Sequence, residues 1–134
     1  MPKPCVLIID DDEAIRSATT SFLNRHGYDA IAVADGKSGI NATKDREFDV
    51  AIIDLFMPGM DGLETTKAIR KLKPLMPVIA VSGFMFGGNC PEMPNFQAMA
   101  AEAGSTAILY KPFPPIDLLQ AIQNVMRAKL ASTG

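Results

Sequence analysis

Five side chains in this sequence have the types and the placement to move a phosphoryl group: Asp10, Asp11, Asp54, Ser82 and Lys111. Asp54 ends the apolar run Val50 to Ile53, and a Pro58-Gly59 turn follows it at once. Asp10 and Asp11 end a second run that starts at Cys5, Ser82 ends a third that starts at Val78, and Lys111 follows a fourth at 106–110. Three carboxylates brought together would repel one another unless a cation joined them. Hard carboxylate oxygens with few other ligands suit Mg2+ (or Mn2+). Lys111 offers a compact positive charge for one phosphoryl oxygen, and Ser82 a hydroxyl donor for another. The chemistry would be in-line transfer to a carboxylate, with an acyl phosphate as product. The metal would neutralise the transferring group, and the protein would mainly position it.

Each residue has a plainer reading on its own. The acidic run Asp10 to Glu13 suits a helix N-terminus, and Asp12 and Glu13 are assigned mostly to that role. Asp54 could be a turn residue, Ser82 before Gly83 a turn former, and Lys111 before Pro112 a solvated loop charge. Their joint occurrence at successive strand tips favours the chemical reading.

The elements that must position them form a regular alternation of short apolar runs and amphipathic segments. Strands are expected at 5–9, 28–33, 49–54, 78–82 and 106–110. Helices are expected from the Asp10–Glu13 cluster to His26-Gly27, and at 36–46, 62–72, 96–103 and 116–130. Ile15, Ala18, Thr19, Phe22 and Leu23 share a face of the first helix; Leu63, Thr66, Ile69 and Leu72 share a face of the third. Glycines weaken the second helix. Strands each followed by a helix, joined by right-handed crossovers, give a (βα)5 doubly wound parallel five-stranded sheet, and the order expected for it is the flavodoxin-like 2-1-3-4-5. In such sheets ligands sit at the carboxyl ends of the strands.

The bulk properties narrow the alternatives. The 134 residues are the size of one domain, expected over 1–134 with a core at about 4–131. The net charge of -2 and pI near 5.3 argue against direct binding to nucleic acid. Two cysteines without a CxxC pair, no visible leader and no run near the ~18 apolar residues of a membrane span suggest a cytoplasmic protein.

The segments Val6 to Glu13, Ile53 to Gly62, Ala80 to Gly83 and Tyr110 to Phe113, in this order and spacing, resemble the receiver domain of bacterial two-component response regulators, the CheY-like superfamily. The resemblance implies that Asp54 is the phosphoacceptor. Asp11 would bind Mg2+ directly, Asp10 partly through water, and the Phe56 carbonyl would be a further ligand. Ser82 and Lys111 would bind the phosphoryl group, and the Lys111-Pro112 bond would be cis. The donor would be a phosphohistidine on a sensor histidine kinase or phosphotransfer protein. Output would pass through the fourth helix, fifth strand and fifth helix to a protein target that the sequence does not identify. The chain would be no classical enzyme: it would catalyse its own phosphorylation and a slow autodephosphorylation. It is expected to be a stand-alone regulator, monomeric or weakly dimeric on phosphorylation. The alternatives are a receiver excised from a larger regulator or hybrid kinase, or a haloacid-dehalogenase-like phosphatase using Asp10. The latter's opening motif is nearly met by Asp10-x-Asp12-x-Ala14, but Ala14 stands where Thr or Val is needed.

Two departures from the family stand out. Ile108 occupies the position where an aromatic ring usually turns inward on phosphorylation; Tyr110, two residues on along the same strand face, is the candidate replacement. The segment between Ser82 and Lys111 is longer than usual, with the excess in a Gly/Pro-rich loop at 84–95. That loop is expected to cover Asp54 or to meet a partner, and Phe56 and Phe84 are expected to flank the site and exclude water.

Overall fold

The computed structural model describes residues 3–55, 62–82 and 101–133. Phe56, Phe84, the loop at 84–95 and most of the helix expected at 96–103 lie outside the described residues.

Five strands form one parallel sheet, in the order β2-β1-β3-β4-β5. They are β1 Cys5–Ile9, β2 Asp29–Val33, β3 Val50–Asp54, β4 Val78–Ser82 and β5 Ala107–Tyr110. The helices are α1 Glu13–Arg25, α2 Gly36–Asp45, α3 Gly62–Leu72 and a C-terminal helix, Pro115–Thr133. Residues 101–103 are helical and lead into Gly104.

Strand side chains alternate between two faces, and each face has its own core. Val6, Ile8, Val50, Ile52, Ile79 and Val81 pack with Leu23 of α1 and with Leu118, Ile122 and Val125 of the C-terminal helix. Leu7, Ile9, Ala51, Ile53 and Val78 pack on the other face with Ile69 of α3 and with Phe48 and Met76. Burial on both faces explains why β1, β3 and β4 read as unbroken apolar runs.

Local signals set most boundaries. The Asp12 side chain accepts from Ile15 N–H and caps α1. His26 closes that helix, and Gly27 turns away at φ +92°, a region open to glycine. The C-terminal helix starts at Pro115, one residue before the expected position. Proline suits a first helical turn, where its missing N–H is not needed. The helix also runs on to Thr133, past the expected end at Leu130.

Packing overrides two expectations. The glycines that weaken α2 in the sequence are what let it dock: Gly36 and Gly39 are buried, and a Cβ at Gly39 would overlap the Ile9 side chain. Leu72 does not face the core. It is 40% exposed at the end of α3, and Thr65 is buried with Thr66 and Ile69 instead.

Candidate functional site

The carboxyl ends of β1, β3 and β4, with the residue after β5, converge at one edge of the sheet. Asp10 follows β1 and prolongs its ladder, its N–H donating to the Val33 carbonyl at 3.2 Å. The residue is 5% exposed. One oxygen, Oδ1, accepts from the Asp12 N–H at 2.9 Å, so Asp10 turns back toward the sheet as Asp12 turns outward to cap α1. Asp11, between them, is exposed.

Asp54 is the last residue of β3 and is 6% exposed. The Leu55 N–H donates to Val81 O at 2.8 Å, so the ladder runs past Asp54 and holds its backbone. Ser82 ends β4, one position beyond Val81, the register partner of Asp54, and is buried. The Ser82 carbonyl accepts from the Lys111 N–H at 2.8 Å, which ties the end of β4 to the residue after β5.

Lys111 brings the cluster together. Its Nζ lies 3.2 Å from Asp10 Oδ2 and 3.6 Å from Asp54 Oδ2. Partial burial lowers the ammonium pKa, but the Asp54 and Asp10 carboxylates outweigh that effect and hold it above its ordinary value. The Lys111-Pro112 peptide is cis.

Asp10, Asp11 and Asp54 each offer a carboxylate oxygen, and these atoms lie within 4.8 Å of one another. The donors are all hard oxygens, which suits Mg2+ or Mn2+ better than a thiophilic metal. Lys111 offsets one of the three negative charges. The remainder is what a divalent cation would balance.

Ser82 and Tyr110 are register partners across β4 and β5. Tyr110 is 44% exposed, whereas Ile108, on the same face, packs against the buried pair Leu55 and Ala80. The proposed gate residues Phe56 and Phe84 lie outside the described residues, as does the backbone carbonyl of Phe56 offered as a metal ligand.

Two neighbours of the site escaped the sequence reading. Gly62 opens α3 directly against the chain at Asp54; a Cβ there would overlap the Asp54 carbonyl and the Leu55 Cα. Its position after Asp61, at the start of a helical pattern, was a visible signal. Arg16 donates from Nη1 to the Asp10 carbonyl at 2.9 Å. Only its helical spacing, four residues after the cap Asp12, could have pointed to it.

An apolar groove of about 350 Å³ runs beside the cluster, between α1 and the start of the C-terminal helix. Ile15, Thr19, Phe22, Pro112, Phe113 and Leu118 line it. Ala18, expected to face the core, is exposed along the same groove.

Comparison with known proteins agrees with this fold. Transcriptional regulatory protein CseB of Streptomyces avermitilis is 33% identical over 122 residues, covering 91% of this chain and 48% of that protein. The chain spans about half the length of the first curated relatives it matches. The structure of chemotaxis protein CheY4 of Vibrio cholerae superposes with a TM-score of 0.81 at 31% identity, covering 92% of this chain and 98% of that one. A CheY-like response regulator receiver domain protein of Methanospirillum hungatei gives a TM-score of 0.86 at 29% identity, covering 97% and 98%. Residues 6–123 match the response regulator receiver domain. The chain belongs to that family, the receiver domains of two-component systems.

Proposed function

We propose that the chain is a phosphorylation-dependent signalling switch, acting as one receiver unit over residues 1–134, in which Asp54 accepts a phosphoryl group from a phosphohistidine. The observation that carries this reading is the convergence of Asp10, Asp11 and Asp54 with the Lys111 ammonium at one sheet edge. Asp11 and Asp54 would hold Mg2+ or Mn2+, with Asp10 acting through water and the Phe56 carbonyl completing the protein ligands. Bound there, the cation supplies charge neutralisation at the transferring group.

The chain's own residues do the rest. Asp54 is held by the β3 ladder, and one of its carboxylate oxygens would meet the donor phosphorus in line. Lys111, held between Asp10 and Asp54, exchanges a carboxylate contact for a phosphoryl oxygen. Ser82, buried at the neighbouring tip, donates its hydroxyl to another. The added charge and acceptor oxygens favour one pre-existing arrangement of the output face over another. Phe56 and Phe84 restrict attacking water and so slow loss of the phosphoryl group.

The donor is a sensor histidine kinase or phosphotransfer protein. The groove from Ile15 to Phe22 and from Pro112 to Leu118 supports that choice, because it lies beside the acceptor and offers apolar contact to a protein. The switch works as a stand-alone regulator or as the receiver part of a longer one. The expectation of no direct nucleic-acid contact concerns these 134 residues alone.

The test is incubation with Mg2+ and a small phosphodonor, followed by intact mass. One added phosphoryl group is expected. It must disappear in Asp54→Asn and without Mg2+; addition that persists in Asp54→Asn would overturn the assignment.

A further inference from the structure

Asp10 is held at each of its polar ends. Oδ1 accepts from the Asp12 N–H at 2.9 Å, Oδ2 faces Lys111 Nζ at 3.2 Å, and the backbone carbonyl accepts from Arg16 Nη1 at 2.9 Å. The Asp10 carbonyl and the Asp11 N–H belong to one planar peptide. Fixing the carbonyl therefore fixes the rotation of the peptide from which Asp11 departs. Asp11 is exposed, so packing alone does not restrain it. Arg16 is itself anchored, since its N–H donates to Asp12 O at 3.0 Å within α1.

We infer that Arg16 is a positioning residue for the cation site: through the Asp10 carbonyl it sets the direction of the Asp11 carboxylate. The inference rests on the phosphoacceptor reading above. Two effects of Arg16 oppose each other. As a charge near three carboxylates it disfavours a second cation. As a hydrogen-bond donor it preorganises a ligand, and outer-shell partners of this kind contribute about 10–100-fold in metal affinity. Arg16 is partly buried, and among the described residues its guanidinium bonds the Asp10 carbonyl rather than a carboxylate, so the positioning effect dominates. The sign of the change on substitution separates the two.

The experiment is a Mn2+ titration of the full chain, followed by electron paramagnetic resonance, on the parent, Arg16→Met, Arg16→Lys and Asp11→Asn. Methionine keeps the helix propensity and removes the donor. Arg16→Met is expected to weaken Mn2+ binding by about tenfold, with little change in metal-free urea unfolding. Arg16→Lys, which keeps a donor and the charge, recovers part of the loss. In phosphorylation assays the Mg2+ concentration for half-maximal rate rises in proportion, while the rate at saturating Mg2+ stays near the parent's; a merely structural defect would lower the saturating rate as well. Arg16→Met binding Mn2+ as tightly as the parent, or more tightly, overturns the inference. A parent whose Mn2+ binding is absent, or unaffected by Asp11→Asn, removes the cation site itself and the inference with it.

Discussion

Gly62 sits directly against Asp54. The first residue of α3 approaches so closely that a Cβ would overlap the Asp54 carbonyl and the Leu55 Cα, and the Gly62 N–H donates to Leu55 O at 3.3 Å. The helix is thus seated on the strand tip that carries the proposed phosphoacceptor, and displacement of one must move the other.

Gly62→Ala is therefore expected to destabilise the protein, although alanine is the better helix former. Forcing a methyl group into packed backbone costs roughly 1–3 kcal/mol. The check is a lower urea midpoint, accompanied by slower phosphorylation of Asp54.

Lys111→Met leaves two buried carboxylates facing each other without a cation. The ammonium is partly solvated, so the expected loss at neutral pH is only about 1 kcal/mol after screening. Its folded-state pKa is raised above the ordinary 10.5. The stabilisation is therefore complete below that ordinary value and is lost as pH rises through the folded-state value. Urea melts of parent and variant should differ at pH 7 and converge in strong alkali. A gap that stays constant with pH would count against the pairing.

Divalent cation is expected to stabilise the folded chain. At Mg2+ about 100 times its dissociation constant, linkage predicts roughly 2.7 kcal/mol. Thermal melts should rise with Mg2+ in the parent and fall back with a chelator. Asp11→Asn and Asp54→Asn should respond weakly or not at all.

Arg70 ties α3 to the segment before β5. Its Nη2 and Nε donate to Gly104 O at 2.6 and 3.1 Å, and its Nη1 donates to Pro74 O at 2.7 Å. Arg70→Ala should cost about 1.5–3 kcal/mol, the range for bonds to a charged group. Mn2+ affinity should be unchanged, because the contact lies at the opposite edge of the sheet from Asp54.

Tyr110 is the candidate aromatic switch in place of Ile108. It is 44% exposed and stands beside its buried register partner Ser82. Tyr110→Ala should impair phosphorylation-dependent partner binding and Tyr110→Phe should preserve it, as measured by pull-down with and without phosphodonor. If both substitutions leave that binding intact, Tyr110 has no part in the response.

The sequence alone determined that the strands form a parallel, doubly wound sheet. Strands buried on both faces must be apolar throughout, and right-handed crossovers leave few ways to arrange such strands. It also marked Asp10, Asp11, Asp54, Ser82 and Lys111, because strand tips are legible as the places where an apolar run meets a polar residue. Tertiary structure alone decided what depends on approach across the chain. The pairing of Lys111 with both Asp10 and Asp54 joins the ends of three strands, and no local pattern encodes those distances. What Gly39 and Gly62 meet is likewise set by the fold: helix propensity counts glycine as a weakness, whereas a Cβ would overlap the Ile9 side chain at one position and the Asp54 carbonyl at the other. Arg16 is six residues from Asp10, yet helix periodicity alone does not place it there; the turn from β1 into α1 brings its guanidinium onto the Asp10 carbonyl.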